Sequence, residues 1–361
     1  MTLRWNNLAS TELEQDKQLQ SHWDRLNATR GSLPFMSARA MTLALRIFGS
    51  GTERLLVGRG SSDVEAMFLL KRTKAMQWET FQPSQMPLGA WVADARHDVQ
   101  ALALELVRGP LGSSLGLSIT QIDPLVAERK PDTDRIRHGD YIDTAWVELD
   151  EFPDFDSYWA ARGKNLRQNM RKQRNKLAAE GVALAMKVFR APGDMALAIK
   201  EYGDLESAGW KAASGTSIHP DNAQGRFYLA LLEDAARDGE AAVYKYFFDD
   251  KVVAVNLCLQ RGNTLIVLKT TYDESIKQFS PAFLLRENEL QEMYLDGKIK
   301  RIEYFGRVMD WHTKLTDKKR TVYHLTAYRW PLLLRLAEMR RNQLAARQPA
   351  AATDAATKMA S

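Results

Sequence analysis

A single cysteine, Cys258, among 361 residues excludes an internal disulfide and any metal cluster built on several thiolates. It lies in a strand-like apolar run, 252–260, where a buried, inert thiol is expected. The six histidines are His22, His97, His138, His219, His312 and His324. No two stand four residues apart, so no helix face presents a pair of imidazoles to a metal, and no metal site is expected. There is no Gly-x-Ser-x-Gly elbow, no Walker loop and no Gly-x-Gly-x-x-Gly after a strand, which removes the usual support for hydrolase, P-loop and dinucleotide chemistry. No apolar run is long enough to span a bilayer, and residues 1–27 lack the hydrophobic core of a signal peptide. The expectation is a soluble, cytoplasmic protein without a transmembrane segment.

What is present is an ordinary globular composition, 45% hydrophobic, on a chain too long for one core of usual size. A net charge of +5 and a pI near 9.1 favour anionic ligands only weakly, and nucleic acid is not the default partner. The chain repeats its own pattern. A helix at 39–48, a strand at 53–59, a turn at 60–63 and a strand at 64–72 are matched by a helix at 225–237, a strand at 241–248, an Asp249-Asp250 turn and a strand at 252–260. Third strands follow at 75–81 and 264–271. Helices are then expected to start near Pro87-Leu88-Gly89-Ala90 and near Ser280-Pro281-Ala282-Phe283. Antiparallel hairpins followed by a helical crossover imply an α/β fold of two mixed sheets flanked by helices. The division expected is a helical extension at 1–32, a first domain at 33–150, a second at 151–335, and a helix end with a disordered tail at 336–361.

Between the halves a basic helix is expected over 157–180, with Lys164, Arg167, Arg171 and Arg174 sharing a face and Leu166, Met170 and Leu177 forming a narrower apolar stripe. Such a face is either solvated or a surface for an anion.

The richest segment is 275–314. A strand runs into Ser280-Pro281-Ala282, a helix follows, and a second strand ends in Tyr304-Phe305-Gly306-Arg307 before Asp310-Trp311-His312-Thr313-Lys314. The helix N-terminus, with unpaired N–H groups and a favourable dipole, is suited to a phosphate-bearing ligand. Aromatic and polar residues stand at element ends: Trp210-Lys211 after a helix, Tyr272 after one strand and Tyr304 after another. His312, Glu303 and Asp310 compete as general base, since imidazole titrates near neutrality and carboxylates can be tuned upward.

In order along the chain stand residues 165–172 heading the basic helix, Ser207-Ala208-Gly209-Trp210-Lys211, the hairpin at 249–254, Tyr272-Asp273 before Phe279-Ser280-Pro281-Ala282, and Phe305-Gly306 before Asp310 and Lys314. This series resembles the acetyltransferase domain of the bacterial cellulose-biosynthesis CelD-like group, in the GCN5-related N-acetyltransferase (GNAT) superfamily and related to FemAB-type peptidyltransferases. The resemblance covers about 157–330, and the repeated pattern extends it to a tandem GNAT fold. It implies an acyltransferase that moves an acyl group from acyl-CoA (acetyl-CoA) to an amine or hydroxyl of a small-molecule or sugar acceptor. The donor would enter where the strands flanking the Ser280 helix splay, against Thr270, Thr271, Ser280, Pro281, Ala282 and Phe283. Classical members carry an Arg/Gln-x-x-Gly-x-Gly/Ala loop there, whereas this chain has Gln278-Phe279-Ser280-Pro281-Ala282. Within that reading Tyr304 or Tyr272 would protonate the leaving thiolate, and Trp210, Lys211, Arg307 and Lys314 would hold the acceptor. A FemAB-like enzyme would instead draw on aminoacyl-tRNA, with the basic helix meeting phosphates. A non-catalytic scaffold in polysaccharide biosynthesis would keep the fold without the donor.

Overall fold

A computed structural model describes residues 2–207 and 218–347. The first half runs β1 (Arg4–Ala9), α1 (Glu12–Gln15), α2 (Lys17–Ala28), α3 (Ala38–Phe48), β2 (Arg54–Arg59), β3 (Val64–Lys74), β4 (Gln77–Thr80), β5 (Trp91–Ala93), α4 (Val99–Arg108), β6 (Gly116–Ile122) and β7 (Ile136–Glu148). The second runs α5 (Phe155–Ala160), α6 (Lys164–Ala179), β8 (Leu184–Phe189), α7 (Met195–Ser207), α8 (Ala223–Arg237), β9 (Ala241–Phe248), β10 (Lys251–Arg261), β11 (Thr264–Tyr272), α9 (Pro281–Asp296), β12 (Arg301–Tyr304), α10 (Asp310–Thr313), β13 (Lys319–Tyr328) and α11 (Pro331–Arg347).

The local chemistry explains the elements. In β10 Val255, Leu257 and Leu259 enter one core while Ala254 and Cys258 enter another, the two-residue alternation of a strand buried on both faces. Asp249 reverses the β9–β10 hairpin with φ +52°, a left-handed conformation that Asp tolerates better than most residues. Ser37 caps α3 by accepting from Ala40 N–H, and Asn222 caps α8 by accepting from Gly225 N–H.

The expected duplication is visible in the pairing. β1, β2, β3 and β4 pair antiparallel in turn, β4 pairs parallel with β6, and β6 pairs antiparallel with β13. In the second half β8, β9, β10 and β11 pair antiparallel in turn, β11 pairs parallel with β12, and β12 pairs antiparallel with β7. The last strand of each unit is therefore exchanged. Because β7 and β13 also pair with each other, the two mixed sheets join edge to edge into one 13-stranded sheet. On one face α2, α3, α7 and α8 share a core drawn from both halves. On the other, α4 covers the first half, and α5, α6 and α9 cover the second.

Three expectations change. Residues 87–90 do not start a helix: Trp91–Ala93 forms β5 against β3, and the crossover helix begins at Val99, after the capping carboxylate of Asp98. The basic helix is broken at 161–163, so that α5 and α6 are separate. The stretch 1–32 is not wholly helical, since β1 is an edge strand and the counterpart of β8. The last helix, α11, ends at Arg347, inside the stretch 336–361 expected to hold a helix end and a tail.

The exchange is closed by buried charge. Arg320 on β13 donates to both carboxylate oxygens of Asp123, which follows β6, at 2.6 to 2.9 Å. Its Nη1 lies 2.9 Å from Glu303 Oε2 on β12, off-line for a hydrogen bond. Arg301 Nε donates to the other Glu303 oxygen at 2.6 Å. Removing one partner of a buried pair strands the others without compensation, at a cost of about 3–5 kcal/mol. Arg320→Leu is therefore expected to lower unfolding free energy in urea by about that amount, and a change under 1 kcal/mol would show that the seam is held by something else.

Candidate functional site

β11 and β12 pair only as far as Val267 and Tyr304. Beyond Val267, β11 continues to Tyr272 with β10 alone at its side. A register shift opposite Leu257 and Cys258 places an extra β11 residue, Leu268, at the point of divergence. The chain then passes through a short helical turn and enters α9 at Ser280, which has φ +56° and makes no side-chain cap. A non-glycine residue in that region is strained, and such strain persists where surrounding structure holds it. Asn169 on α6 donates to Ser280 Oγ at 3.3 Å.

The divergence opens a cavity of about 460 Å³. Thr270, Thr271 and Tyr272 form one wall, Ser280, Pro281, Ala282 and Phe283 another, and Leu205, Glu206, Glu274, Lys277, Arg286, Met309 and Trp311 complete it. All six residues expected to hold the donor line it. A second cavity of about 470 Å³ shares Ser280 and Phe283 and reaches Arg162, Asn169 and Lys314.

The expected catalytic residues separate. Tyr272 lines the first cavity. Tyr304 is buried, edge-on to Trp311 and His312 at ring separations of 5.3 and 5.0 Å, and burial, opposed by Arg286, pushes its phenol pKa upward. His312 is not in a loop but in α10, stacked on Trp311 at 3.4 Å. Its Nδ1 accepts from Met309 N–H at 2.9 Å, so the neutral ring carries its proton on Nε2. Burial and then Arg286 push its pKa down to about 4, against the hydrogen bond from Met309. An imidazole in that state is a weak base, with its acceptor nitrogen occupied. Glu303 belongs to the Arg320 seam: burial raises its pKa while Arg320 and Arg301 oppose the shift. Asp310 and Arg307 are exposed, as is Lys314, whose Nζ sits 5.3 Å from the Phe283 ring centroid. Trp210 and Lys211 lie outside the described residues.

Three charged residues escaped the sequence reading. Arg286, 5% exposed, donates to Ala282 O and Thr270 Oγ1, each at 3.0 Å, and its guanidinium lies 3.9 Å from the Trp311 ring centroid. Glu289, one turn on, takes both amide N–H groups of Asn256 at 2.9 Å. Burial pushes it up to about 7, opposed by Asn256 and Arg286. Glu206 on α7 accepts from Ile218 N–H at 2.7 Å. After burial, its charge is the next cause raising the phenols of Tyr202 and Tyr228. The common signal is position. Arg286 stands four and seven residues before Leu290 and Met293, and Glu206 follows Ile199 and Tyr202 by seven and four, so each charge falls on its helix's buried stripe.

The first half lacks this opening. β4 and β6 also pair in parallel over only a few residues, 77–79 with 116–118, but residues 81–93 fill the space beyond. Gly89 N–H donates to Thr120 O at 3.2 Å, and a Cβ at Gly89 would fall 2.4 Å from that oxygen. The α4 N-terminus is occupied by its own carboxylate: Asp98 accepts from Gln100 N–H at 3.0 Å and pairs with Lys130 at 3.2 Å.

Residues 164–314 match the family model of the acetyltransferase (GNAT) domain. No curated protein matches the chain by sequence. Among solved structures, a C-terminal DUF2156 domain from Agrobacterium fabrum, from a protein named for lysylphosphatidylglycerol synthesis, is 14% identical with a TM-score of 0.55, over 88% of this chain and 94% of that one. A conserved protein of unknown function from Bacteroides thetaiotaomicron is 10% identical with a TM-score of 0.51, over 90% and 99%. A tandem GNAT protein from the clavulanic acid biosynthesis pathway is 15% identical with a TM-score of 0.46, over 91% and 98%. Among the described residues no helix is long and apolar enough to cross a membrane.

The state of His312 is testable through stability. Its folded pKa of about 4 lies below the ordinary imidazole value of 6.5, so between those pH values the unfolded chain binds the extra proton. The contribution to stability is complete above pH 6.5 and is lost as pH falls toward 4. His312→Asn keeps an acceptor for Met309 N–H and is expected to flatten the rise of stability with pH across that window. Equal slopes in the two proteins would show that the imidazole titrates normally.

Proposed function

We propose that the second half transfers an acyl group from acyl-CoA to an amine or hydroxyl. The observation that carries this reading is the cavity between the free edge of β11 and the N-terminus of α9, inside the segment that matches the acetyltransferase model. Past Val267 the β11 backbone has no strand on the β12 side, which leaves groups able to donate to a thioester carbonyl as negative charge develops there. The α9 N-terminus offers its dipole to the donor's phosphates and has no side-chain cap, in contrast to the α4 N-terminus, which Asp98 caps.

In the reaction the acceptor's nitrogen or oxygen attacks the thioester carbon. The new C–N or C–O bond forms, the C–S bond breaks, and the acceptor's proton is lost while the thiolate gains one. Glu206 and Glu274 both line the cavity; Glu206, the buried one, is assigned the first proton, and Tyr272 is assigned the second. Tyr304 and His312 are assigned to shaping the pocket through Trp311. Lys314, at the second cavity, is assigned to the acceptor's outer part. The CelD-like resemblance adds a sugar or polysaccharide precursor as acceptor class, tested by following CoA release over a panel of amino sugars and sugar phosphates.

An aminoacyl-tRNA donor is favoured by one feature. Lys164, Arg171 and Lys172 are exposed on α6, beside the helix's contact with Ser280, and no acidic residue within ion-pair distance is described for them. Binding of charged tRNA that weakens steeply with salt, without binding of acetyl-CoA, would select that reading.

Ala282→Asp places a carboxylate at the helix entrance. Acetyl-CoA affinity measured by calorimetry is expected to fall at least about tenfold, with melting temperature unchanged. Equal affinities would move the donor away from α9.

A further inference from the structure

A buried guanidinium normally faces a carboxylate, because taking an ion out of water is costly without a partner charge. Arg286 is 5% exposed and forms part of the cavity wall, yet its hydrogen bonds go to neutral oxygens, Ala282 O and Thr270 Oγ1. These use two of the five N–H groups of an arginine. Trp311 covers one face of the ion at 3.9 Å. Glu289, the nearest acid on the same helix face, forms no ion pair with it: both Glu289 oxygens are taken by Asn256, and burial favours its protonated form. The cavity also holds a carboxylate, Glu206, contributed by α7. One cavity thus has, on the α9 side, a buried cation with no ion-pair partner among the described residues, and a buried acid on the α7 side.

We propose that the acceptor is an amine that also carries a carboxylate, an amino acid or an acid of similar pattern, with its carboxylate on Arg286 and its ammonium toward Glu206. The inference rests on the acyltransferase reading and narrows its acceptor. Arg286 supplies the missing ion pair through a planar fork that matches a carboxylate, and Thr270 fixes the fork by holding one of its nitrogens. Glu206 attracts the ammonium and receives its proton, which frees the nitrogen lone pair for the thioester carbon. The products are the N-acyl acid and CoA.

The test follows CoA release from acetyl-CoA with the twenty common amino acids and, in parallel, their C-terminal amides. Acetyl-CoA binding is measured separately by calorimetry. At least one acid is expected to react with kcat/KM at least about thirtyfold above its amide, the loss typical when one partner of a buried charge pair is removed. In Arg286→Lys that preference is expected to shrink at least about tenfold, while acetyl-CoA affinity stays within twofold. Amides reacting as well as acids would overturn the proposal, and so would CoA release with none of the acids by a protein that binds acetyl-CoA. Arg286→Lys weakening acetyl-CoA as much as the acid would reassign the guanidinium to the donor's phosphates and overturn it too. Absence of acetyl-CoA binding by the wild-type protein would instead remove the acyl-CoA reading itself. The acid and amide comparison uses wild-type protein, so it decides the question even if the variant does not fold.

Discussion

Arg320 is the point on which the two halves depend. Its guanidinium reaches from β13 to Asp123 at the end of β6 and to Glu303 on β12, so one side chain touches the last parallel strand of both units. Burying this many charges is justified only by close mutual pairing, and the group lies where β7 and β13 cross between the halves. A sheet assembled by exchange cannot separate into two independent domains without breaking β6–β13, β7–β12 and β7–β13 together. The shared helical layer, where Arg39 of α3 meets Asp234 of α8 and Asp238 just after it, adds a second tie.

That coupling allows the copies to diverge. Both retain a parallel strand pair that separates after a few residues, which is a natural place for a ligand. In the first copy residues 81–93 close the gap, with Gly89 permitting the close backbone approach to Thr120 and Asp98 occupying the helix N-terminus. In the second copy the gap stays open, Ser280 leaves the helix end uncapped, and Arg286 brings a charge to the wall. The first half supplies β7 to the second half's sheet and receives β13 from it.

Much of this was legible in the sequence because it is local. The hairpins at 54–74 and 241–261 follow from alternating apolar runs around polar turns, and Ser-Pro at 280–281 marks the α9 entrance. The strand exchange was not legible, because β7 reads the same whichever β-edge it joins. Nor was β5: Trp91, Val92 and Ala93 are too few to show a period, and the Pro87-Leu88-Gly89 turn resembles a helix start. Of the residues expected at the site, Thr270, Thr271, Tyr272 and the four from Ser280 to Phe283 line the cavity, because they stand at element ends where the chain segments converge. Arg286, Glu289 and Glu206 were missed because each is a charge inside an apolar helix stripe, a pattern that favours burial until the cavity is seen. His312 and Glu303 drew notice as titratable groups, but packing on Trp311 and pairing with Arg320 give them other work.

Under the proposed function one copy of the repeated fold holds the donor, and the other is closed by residues 81–93 and Asp98. Amide hydrogen exchange with and without saturating acetyl-CoA tests it most directly. The account predicts slower exchange on binding at 268–272 and 280–286, with exchange at 80–108 unchanged. Equal protection at the start of α4, or no protection at α9 while acetyl-CoA is bound, would contradict it.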